Sequence, residues 1–513
     1  MKRFLTILLT TLALTGLLCV TASAASFDGP AKELAAIGML KGGAGGFDLD
    51  KAPTRAQAAI MLTRLFGAEE EAKAAYAAGD IQCPFTDVNG AAAPCVAWLK
   101  DKGLASGTSE TTFGASNPCT AKAYTIFLLR ALGYQDNVDF TAADAQAFAM
   151  KIGLLDTSAF TGAFLRDDLV SLTYQALGTD LKGGETYLLA SLIENGTVDA
   201  AAAKSMTDKF EAYRALQASG AAAAQGMDAS VDAKMTMKIG VKGSDPSMNL
   251  AETVDAAVRG RVQMVLDKDV QMAMDMTVDA ASGGATETEK MEYWVKDGVT
   301  YVRSGDMAYQ MPLDAGMDME SLTALMEQSS AQTGAYMLPF IESIGAKSSG
   351  GNTVYTLKLN SAFSQMMNGM AGQILGAADT AGLDMGMKFS LSDGVITYTV
   401  GQDGALKSAG IDMTLKAGVN ASDGAESLTM DMTVAMDMTM EINAMGKGVK
   451  ISFPDFSGFE KIIGGADGPT AILTSSAPLS PLAAFLEIVI PLILLIVCIV
   501  LAVKVRRLEK KLK

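Results

Sequence analysis

The feature that most constrains the fold is a run of alternating residues near the end of the chain. Between positions 430 and 442 (MDMTVAMDMTMEI), apolar side chains occupy every second position, and five of those seven are methionine. A period of two places such side chains on one face of a β-strand, whereas a helix would scatter them around its axis. Because the 513-residue chain contains 32 methionines, we predict a β-sheet with a methionine-rich face.

Shorter runs repeat this alternation at 235–239 and 272–278. Asp-Gly pairs at 297–298, 393–394 and 403–404 are typical of tight turns between strands. We therefore predict that residues 227–452 form an antiparallel, strongly curved β-sheet. Residues 319–344 and 361–378 have helical periodicity, and we expect them to be helices on its apolar face.

This arrangement resembles, by pattern alone, the half-barrel of lipoprotein-carrier-like domains. The resemblance implies that the concave face holds a lipid or another apolar ligand. Methionine suits varied apolar guests because its side chain is flexible and polarizable. The alternative is an ordinary core in which methionine replaces leucine. The candidate residues of the apolar-ligand face are Met274, Met432, Met436 and Met438.

Composition excludes several functions. The absence of histidine excludes Ser-His-Asp and Cys-His catalysis and histidine-ligated zinc or haem. With 41 Lys and Arg against 57 Asp and Glu, the net charge of −16 argues against nucleic-acid binding. We expect a protein that is not an enzyme and has neither cofactor nor metal, although plentiful carboxylates leave acid–base catalysis open.

The two ends of the sequence predict where in the cell the protein lies. Residues 1–24 have the basic start, apolar stretch and small-residue cleavage site of a signal peptide. Residues 482–503 are long and apolar enough for a transmembrane helix, and the basic tail 504–513 predicts a cytoplasmic C-terminus. The expectation is a single-pass protein of the cell surface with its N-terminus outside and the cytoplasmic membrane as a partner.

A helical unit recurs three times within residues 25–180. The second copy is the clearest, with FTDV at 85–88 and GLASG at 103–107, and related segments occur at 53–57 (PTRAQ) and 164–168 (FLRDD). Thr54 and Thr120 lie where helix N-caps are expected. One unit cannot bury its apolar face alone, so we expect the three to pack together.

These repeats resemble the S-layer homology family of bacterial envelope proteins. The resemblance implies a three-pronged helical bundle that binds pyruvylated cell-wall polysaccharide in grooves between repeats. The second repeat departs from the family at Ala121-Lys122, and Gln57 replaces the family's glutamate. The alternative is that the arginines only cap loops. The implied glycan-binding residues are Arg55, Asp87, Trp98, Lys122 and Arg166.

Cys83, Cys95 and Cys119 lie in or beside the second repeat, where a disulfide between Cys95 and Cys119 would tie its two helices. The sequence does not fix which two cysteines pair, and at least one thiol is left over. Residues 181–226 are predicted to be a helical spacer, and 453–481, rich in Pro, Gly and Ser, a stalk. Within the stalk, residues 462–472 (IIGGADGPTAI) resemble a signature of the β-subunit of sodium-translocating decarboxylases. We interpret Asp467-Gly468-Pro469 within it as a turn.

The sequence thus predicts a multidomain α plus α+β chain. It combines a three-repeat helical bundle, an antiparallel curved β-sheet with helices, and one C-terminal transmembrane helix. The predicted function is a non-enzymatic cell-envelope protein that connects secondary cell-wall polysaccharide to the membrane. The alternative is a carrier or sensor of an apolar ligand, such as a lipid, that binds through the methionine-rich β domain.

Overall fold

The structure is a computed structural model that describes residues 27–43, 45–155, 163–220, 222, 225–243, 249–266, 270–282, 285–312, 335–365, 384–422 and 427–461. Helices occupy the first part of the described chain and a large sheet occupies the rest. The helices are α1 Asp28–Ala36, α2 Arg55–Leu65, α3 Glu69–Ala78, α4 Ala92–Asp101, α5 Ala121–Ala131, α6 Ala145–Lys151, α7 Arg166–Gly178, α8 Leu188–Glu194 and α9 Ala200–Gly220.

The strands form one sheet with the order β12-β6-β5-β4-β3-β2-β1-β11-β10-β9-β8-β7. A 3₁₀ helix, Ala335–Phe340, precedes β7. The strands are β1 Gly226–Gly243, β2 Leu250–Leu266, β3 Val270–Ser282, β4 Ala285–Lys296, β5 Val299–Ser304, β6 Met307–Pro312, β7 Ile341–Ser349, β8 Asn352–Leu359, β9 Asp384–Val400, β10 Leu406–Ser422, β11 Ser427–Met445 and β12 Glu460–Lys461.

Local sequence signals explain where the second helix of the first two repeats begins. Thr54 caps α2, since its hydroxyl accepts from the Gln57 amide at 3.2 Å and its own amide donates to the Gln57 side chain at 2.9 Å. Thr120 caps α5 by accepting from the Ala123 amide at 3.2 Å. Both threonine caps expected from the sequence are confirmed.

The repeats are joined by hydrogen bonds from helix starts to loops of other repeats. The Arg55 amide donates to the Asn117 carbonyl at 2.9 Å, which connects the first repeat to the second. The Arg166 amide donates to the Lys51 carbonyl at 2.8 Å, which connects the third repeat to the first. These otherwise unpaired amides of the first helical turn therefore help to hold the bundle together.

The sheet is mixed, because β12 runs parallel to β6 while all other pairs are antiparallel. This corrects the expectation of a purely antiparallel sheet. The physical reason is that residues 446–459 lead the chain from β11, in the middle of the sheet, to the far edge. The Asp297-Gly298 hairpin is confirmed between β4 and β5, with positive φ at both residues.

The segment after β11 builds a small aromatic core on the sheet. The Tyr301 and Phe456 rings stack with centroids 3.7 Å apart, and Trp294 packs edge-on against Phe456 and Phe459. Gln310 also donates to the Phe459 carbonyl at 3.0 Å. Residues 453–461, the first part of the expected stalk, thus lie against β4 to β6, while the rest of that segment is outside the described residues.

Helices and sheet share one hydrophobic core, which extends from Phe27 to Met440. Helix α9, in the region expected to be a spacer, packs against β7, β9 and β10, and the 3₁₀ helix packs against α7. Residues 341–344, which we expected to end a helix, instead begin strand β7, and residues 361–365 are helical. The remaining parts of the two expected amphipathic helices lie outside the described residues.

Within the described ranges, no helix is both long enough and apolar enough to span a membrane. The predicted fold class, which included a C-terminal transmembrane helix, is corrected accordingly. The prediction of a single-pass cell-surface protein is corrected with it. The segments behind that prediction, 1–24, 482–503 and 504–513, lie outside the described residues.

A buried ionic network connects the helical repeats to the sheet. The Lys209 ammonium of α9 donates to both carboxylate oxygens of Glu33 at 3.0 Å, to the Tyr174 hydroxyl at 2.9 Å and to the Ile341 carbonyl at 3.3 Å. Tyr174 also donates to Glu33. One cation thus links α1, α7, α9 and β7. The energetic cost of burying this charge is offset by several hydrogen bonds.

We expect Lys209→Met to reduce the free energy of unfolding by about 3 kcal/mol, because Glu33 and Tyr174 would be left without their cation. Urea unfolding of the full chain measures this change. The control is Lys204→Met on the same helix, whose pair with Asp208 is exposed and should contribute less than about 1 kcal/mol. Equal effects of the two substitutions would contradict a structural role for the buried network.

Candidate functional site

Strand register places the methionines side by side on one face of the sheet. Each of three rows crosses neighbouring strands at directly paired positions, and together they define what we call the methionine face. The rows are Met276, Gly260, Val231, Met440, Ala409 and Tyr398; Val278, Val258, Ala233, Met438, Ile411 and Ile396; and Ala280, Ala256, Met235, Met436 and Met413.

The methionine face is shielded from solvent. Met436 and Met438 are only 4 % and 2 % exposed. Met274 and Met432 lie on the same side of the sheet and are half-buried, Met274 one row beyond Met276 and Met432 two rows beyond Met436. The structure therefore brings all four candidate ligand-face residues to one side of the sheet, and the predicted alternation is the reason.

The opposite face is polar and open along β1, β2, β10 and β11, whereas the aromatic core around Trp294 covers it at β3 to β5. Its residues alternate with the buried ones, and Asp431, Asp437 and Glu441 of β11 are exposed. A groove of about 570 Å³ lies on this face, lined by Lys234, Asp255, Asp279, Asp412 and Asp437 among others. The groove thus has an acidic lining.

Two carboxylates of the groove already have protein partners. The Thr236 hydroxyl bonds to Asp255 at 2.7 Å, and the Thr288 hydroxyl bonds to Asp279 at 2.6 Å. No group of three or more Cys, Asp or Glu side chains in the described residues is arranged to hold a metal ion. The polar face is therefore a weaker candidate for a ligand site than the methionine face.

The two arginines of the predicted glycan site contact loop carbonyls. The Arg55 guanidinium donates to the carbonyls of Phe113 and Ser106, each at 3.2 Å, and lies 4.8 Å from the centre of the Phe113 ring. Arg166 donates to the Phe47 carbonyl at 2.7 Å. These contacts agree with the alternative in which the arginines cap loops of neighbouring repeats.

Asp87, also a predicted glycan residue, organises a loop. Its carboxylate accepts from the amides of Phe113, Gly114 and Ala115 at 2.7–2.8 Å. These bonds hold the pKa of Asp87 below its usual value. Asp87 and Arg55 thus meet on the same loop, and both are used to hold its backbone.

The other two predicted glycan residues lie elsewhere in the repeats. The Trp98 indole is largely buried and donates to Glu71 at 3.0 Å. Lys122 is exposed at the start of α5. Among the described contacts, neither residue joins the loop held by Arg55 and Asp87.

The described cysteines are separate thiols, so the disulfide expected between Cys95 and Cys119 is not formed. Both side chains are buried, and Cys119 contacts the Thr120 carbonyl at 3.6 Å. Burial raises the pKa of both thiols, that of Cys119 to about 11. Low thiolate content makes such cysteines unreactive.

Sequence comparisons do not identify a family for this chain. A scan against known protein families finds no match, and a search of curated proteins finds none. Neither the resemblance to S-layer homology repeats nor that to sodium-translocating decarboxylases is supported, and the decarboxylase-like residues 462–472 lie outside the described residues.

Two solved structures show limited similarity to the fold. LprF from Mycobacterium bovis is 11 % identical, with a TM-score of 0.20, over 48 % of this chain and 98 % of that one. The ywiB protein from Bacillus subtilis is 9 % identical, with a TM-score of 0.12, over 43 % and 94 %. At these TM-scores neither match carries an argument about function.

Sequence reasoning missed two buried polar side chains, Gln217 and Asp167. Gln217 follows Met206, Phe210 and Tyr213 on the buried side of α9. An amide among apolar residues at helical spacing was the available signal. Asp167 lies in the first turn of α7, where acidic residues are common, so the sequence carries no signal that sets it apart.

Asp167 is 6 % exposed and accepts the Phe27 amide at 2.7 Å. Burial raises the pKa of Asp167 from 3.8 to about 7, and the charges of Asp168 and Asp28 act in the same direction. Because the pKa is higher in the folded state, this carboxyl favours folding below about pH 4. That contribution is lost as pH rises to about 7.

We therefore expect Asp167→Asn to be more stable than the native chain at pH 8, by up to about 4 kcal/mol. The asparagine keeps the acceptor for Phe27 without the buried charge. Urea unfolding between pH 4.5 and 8 measures the difference. The control, Asp144→Asn, alters an exposed carboxylate that accepts the Thr141 amide. A native-like pH profile for Asp167→Asn would contradict the assignment.

Proposed function

We propose that this chain is a non-enzymatic binding protein for an apolar ligand, such as the acyl chain of a lipid. The observation that carries the proposal is the methionine face, where apolar side chains lie in adjacent rows over neighbouring strands. A continuous apolar surface of this kind offers an acyl chain contacts along its whole length.

The choice of methionine supports binding rather than packing alone. An unbranched thioether side chain has three rotatable bonds, so it fills irregular space and rearranges at low cost. Leucine, isoleucine or valine would fix one arrangement more firmly. Met436 and Met438 are buried, so an entering chain must take space that these flexible side chains give up.

The energetics of such binding are adequate. A sixteen-carbon chain that buries its methylenes gains about 13 kcal/mol at roughly 0.8 kcal/mol each. Association and ordering cost on the order of 5 kcal/mol. The remaining free energy of about 8 kcal/mol corresponds to micromolar affinity.

We expect the purified full chain to retain lipid in native mass spectrometry and to increase the fluorescence of N-phenyl-1-naphthylamine. Replacement of Met436, Met438 and Met440 together by leucine should preserve folding, because leucine and methionine have similar volumes. It should weaken dye binding about tenfold, because the stiffer side chains yield less space.

The matched control is the pair Asp431→Asn and Asp437→Asn, on the same strand but on the exposed face. These substitutions should leave dye binding unchanged. The proposal fails if the native chain retains no lipid and binds no dye. It also fails if the leucine variant and the native chain bind equally, since the methionines would then be an ordinary core.

A further inference from the structure

Gln217 has a buried side-chain amide on helix α9. It is 4 % exposed, and neither its side-chain nitrogen nor its side-chain oxygen finds a hydrogen-bond partner among the residues that the structure describes. Buried polar atoms are nearly always paired, so an amide with both ends unpaired requires an explanation. Gln175, buried on α7, also has an unpaired side-chain oxygen, but its nitrogen donates to the Ser171 hydroxyl at 3.0 Å.

The position of Gln217 connects it to the methionine face. It lies one helical turn after Tyr213 on the buried side of α9. Tyr213 is close enough to Tyr398, in the first row of the methionine face, to interact with it electrostatically, and burial and Tyr213 both raise the pKa of Tyr398. The unpaired amide thus belongs to the helix that packs over β7, β9 and β10.

The charges of α9 indicate which kind of polar head group a ligand could place beside Gln217. Each cation of this fully described helix already has a carboxylate partner: Lys204 with Asp208, Lys209 with Glu33, and Arg214 with Asp180, at 2.6–3.0 Å. A free carboxylate or phosphate on the ligand would therefore meet no unpaired cation from α9. An amide can donate and accept, which suits an uncharged polar group.

We infer that the ligand of the methionine face has an uncharged hydrogen-bonding head group, a hydroxyl, ester or amide, and that Gln217 binds it. This inference rests on the proposed function. The alkyl chain lies along the methionine face, and the head group supplies the donor or acceptor that the buried amide lacks. Gln217 is accordingly the residue that selects neutral over anionic lipids.

The test compares three ten-carbon probes in displacement of N-phenyl-1-naphthylamine from the full chain at pH 8. Decan-1-ol carries a hydroxyl, 1-chlorodecane has no donor, and decanoate is an anion. Gln217→Leu should weaken decan-1-ol binding about tenfold, the contribution of one or two hydrogen bonds. The affinity for 1-chlorodecane should change less than twofold. Gln217→Met, with an unbranched side chain, should behave like Gln217→Leu.

The matched control is Gln175→Leu, another buried glutamine on a different helix, which should change neither affinity. The inference is overturned if Gln217→Leu weakens decan-1-ol and 1-chlorodecane equally, or weakens neither. Tighter binding of decanoate than of decan-1-ol to the native chain also overturns it. If neither the dye nor any probe binds the native chain, the proposed function fails instead.

Discussion

Burial of one face of the sheet is the constraint on which the rest of the structure depends. Alternation along β1, β2, β3, β10 and β11 gives every strand an apolar and a polar side, and a slip of one residue would reverse them. The register is therefore fixed by the need to hide the methionines from water. Helix α9 covers part of that side, which explains why helices and sheet share a single core.

The two parts of that core are held together by different interactions. The helices are fixed by directional bonds, such as those that Lys209 donates to Glu33 and those that Asp87 accepts from three consecutive amides. The methionine face is held by non-directional apolar contact between flexible side chains. Directional bonding thus dominates among the helices, and apolar packing dominates on the methionine face.

Local features could be predicted from sequence, whereas features created by distant residues could not. The threonine caps and the Asp297-Gly298 hairpin depend only on residues that are close in the sequence. The alternation at 430–442 likewise shows by itself which side chains share the buried face of the strand. The Lys209–Glu33 pair joins residues 176 positions apart, and β12 runs parallel to β6 only because of the path taken by residues 446–459. The raised pKa of Asp167 likewise requires knowledge of what buries it.

The candidate site likewise has one part that the sequence predicts and one part that it does not. Sequence alone located Met436 and Met438 on one face, because burial at every second position is a local pattern. It could not locate Gln217, because the absence of a partner is a property of the whole packed environment. In an apolar setting an unpaired amide destabilises the folded protein, and a bound polar group would remove that penalty. In the proposed site, Gln217 therefore favours binding of a ligand with a polar group, which a wholly apolar interface could not do.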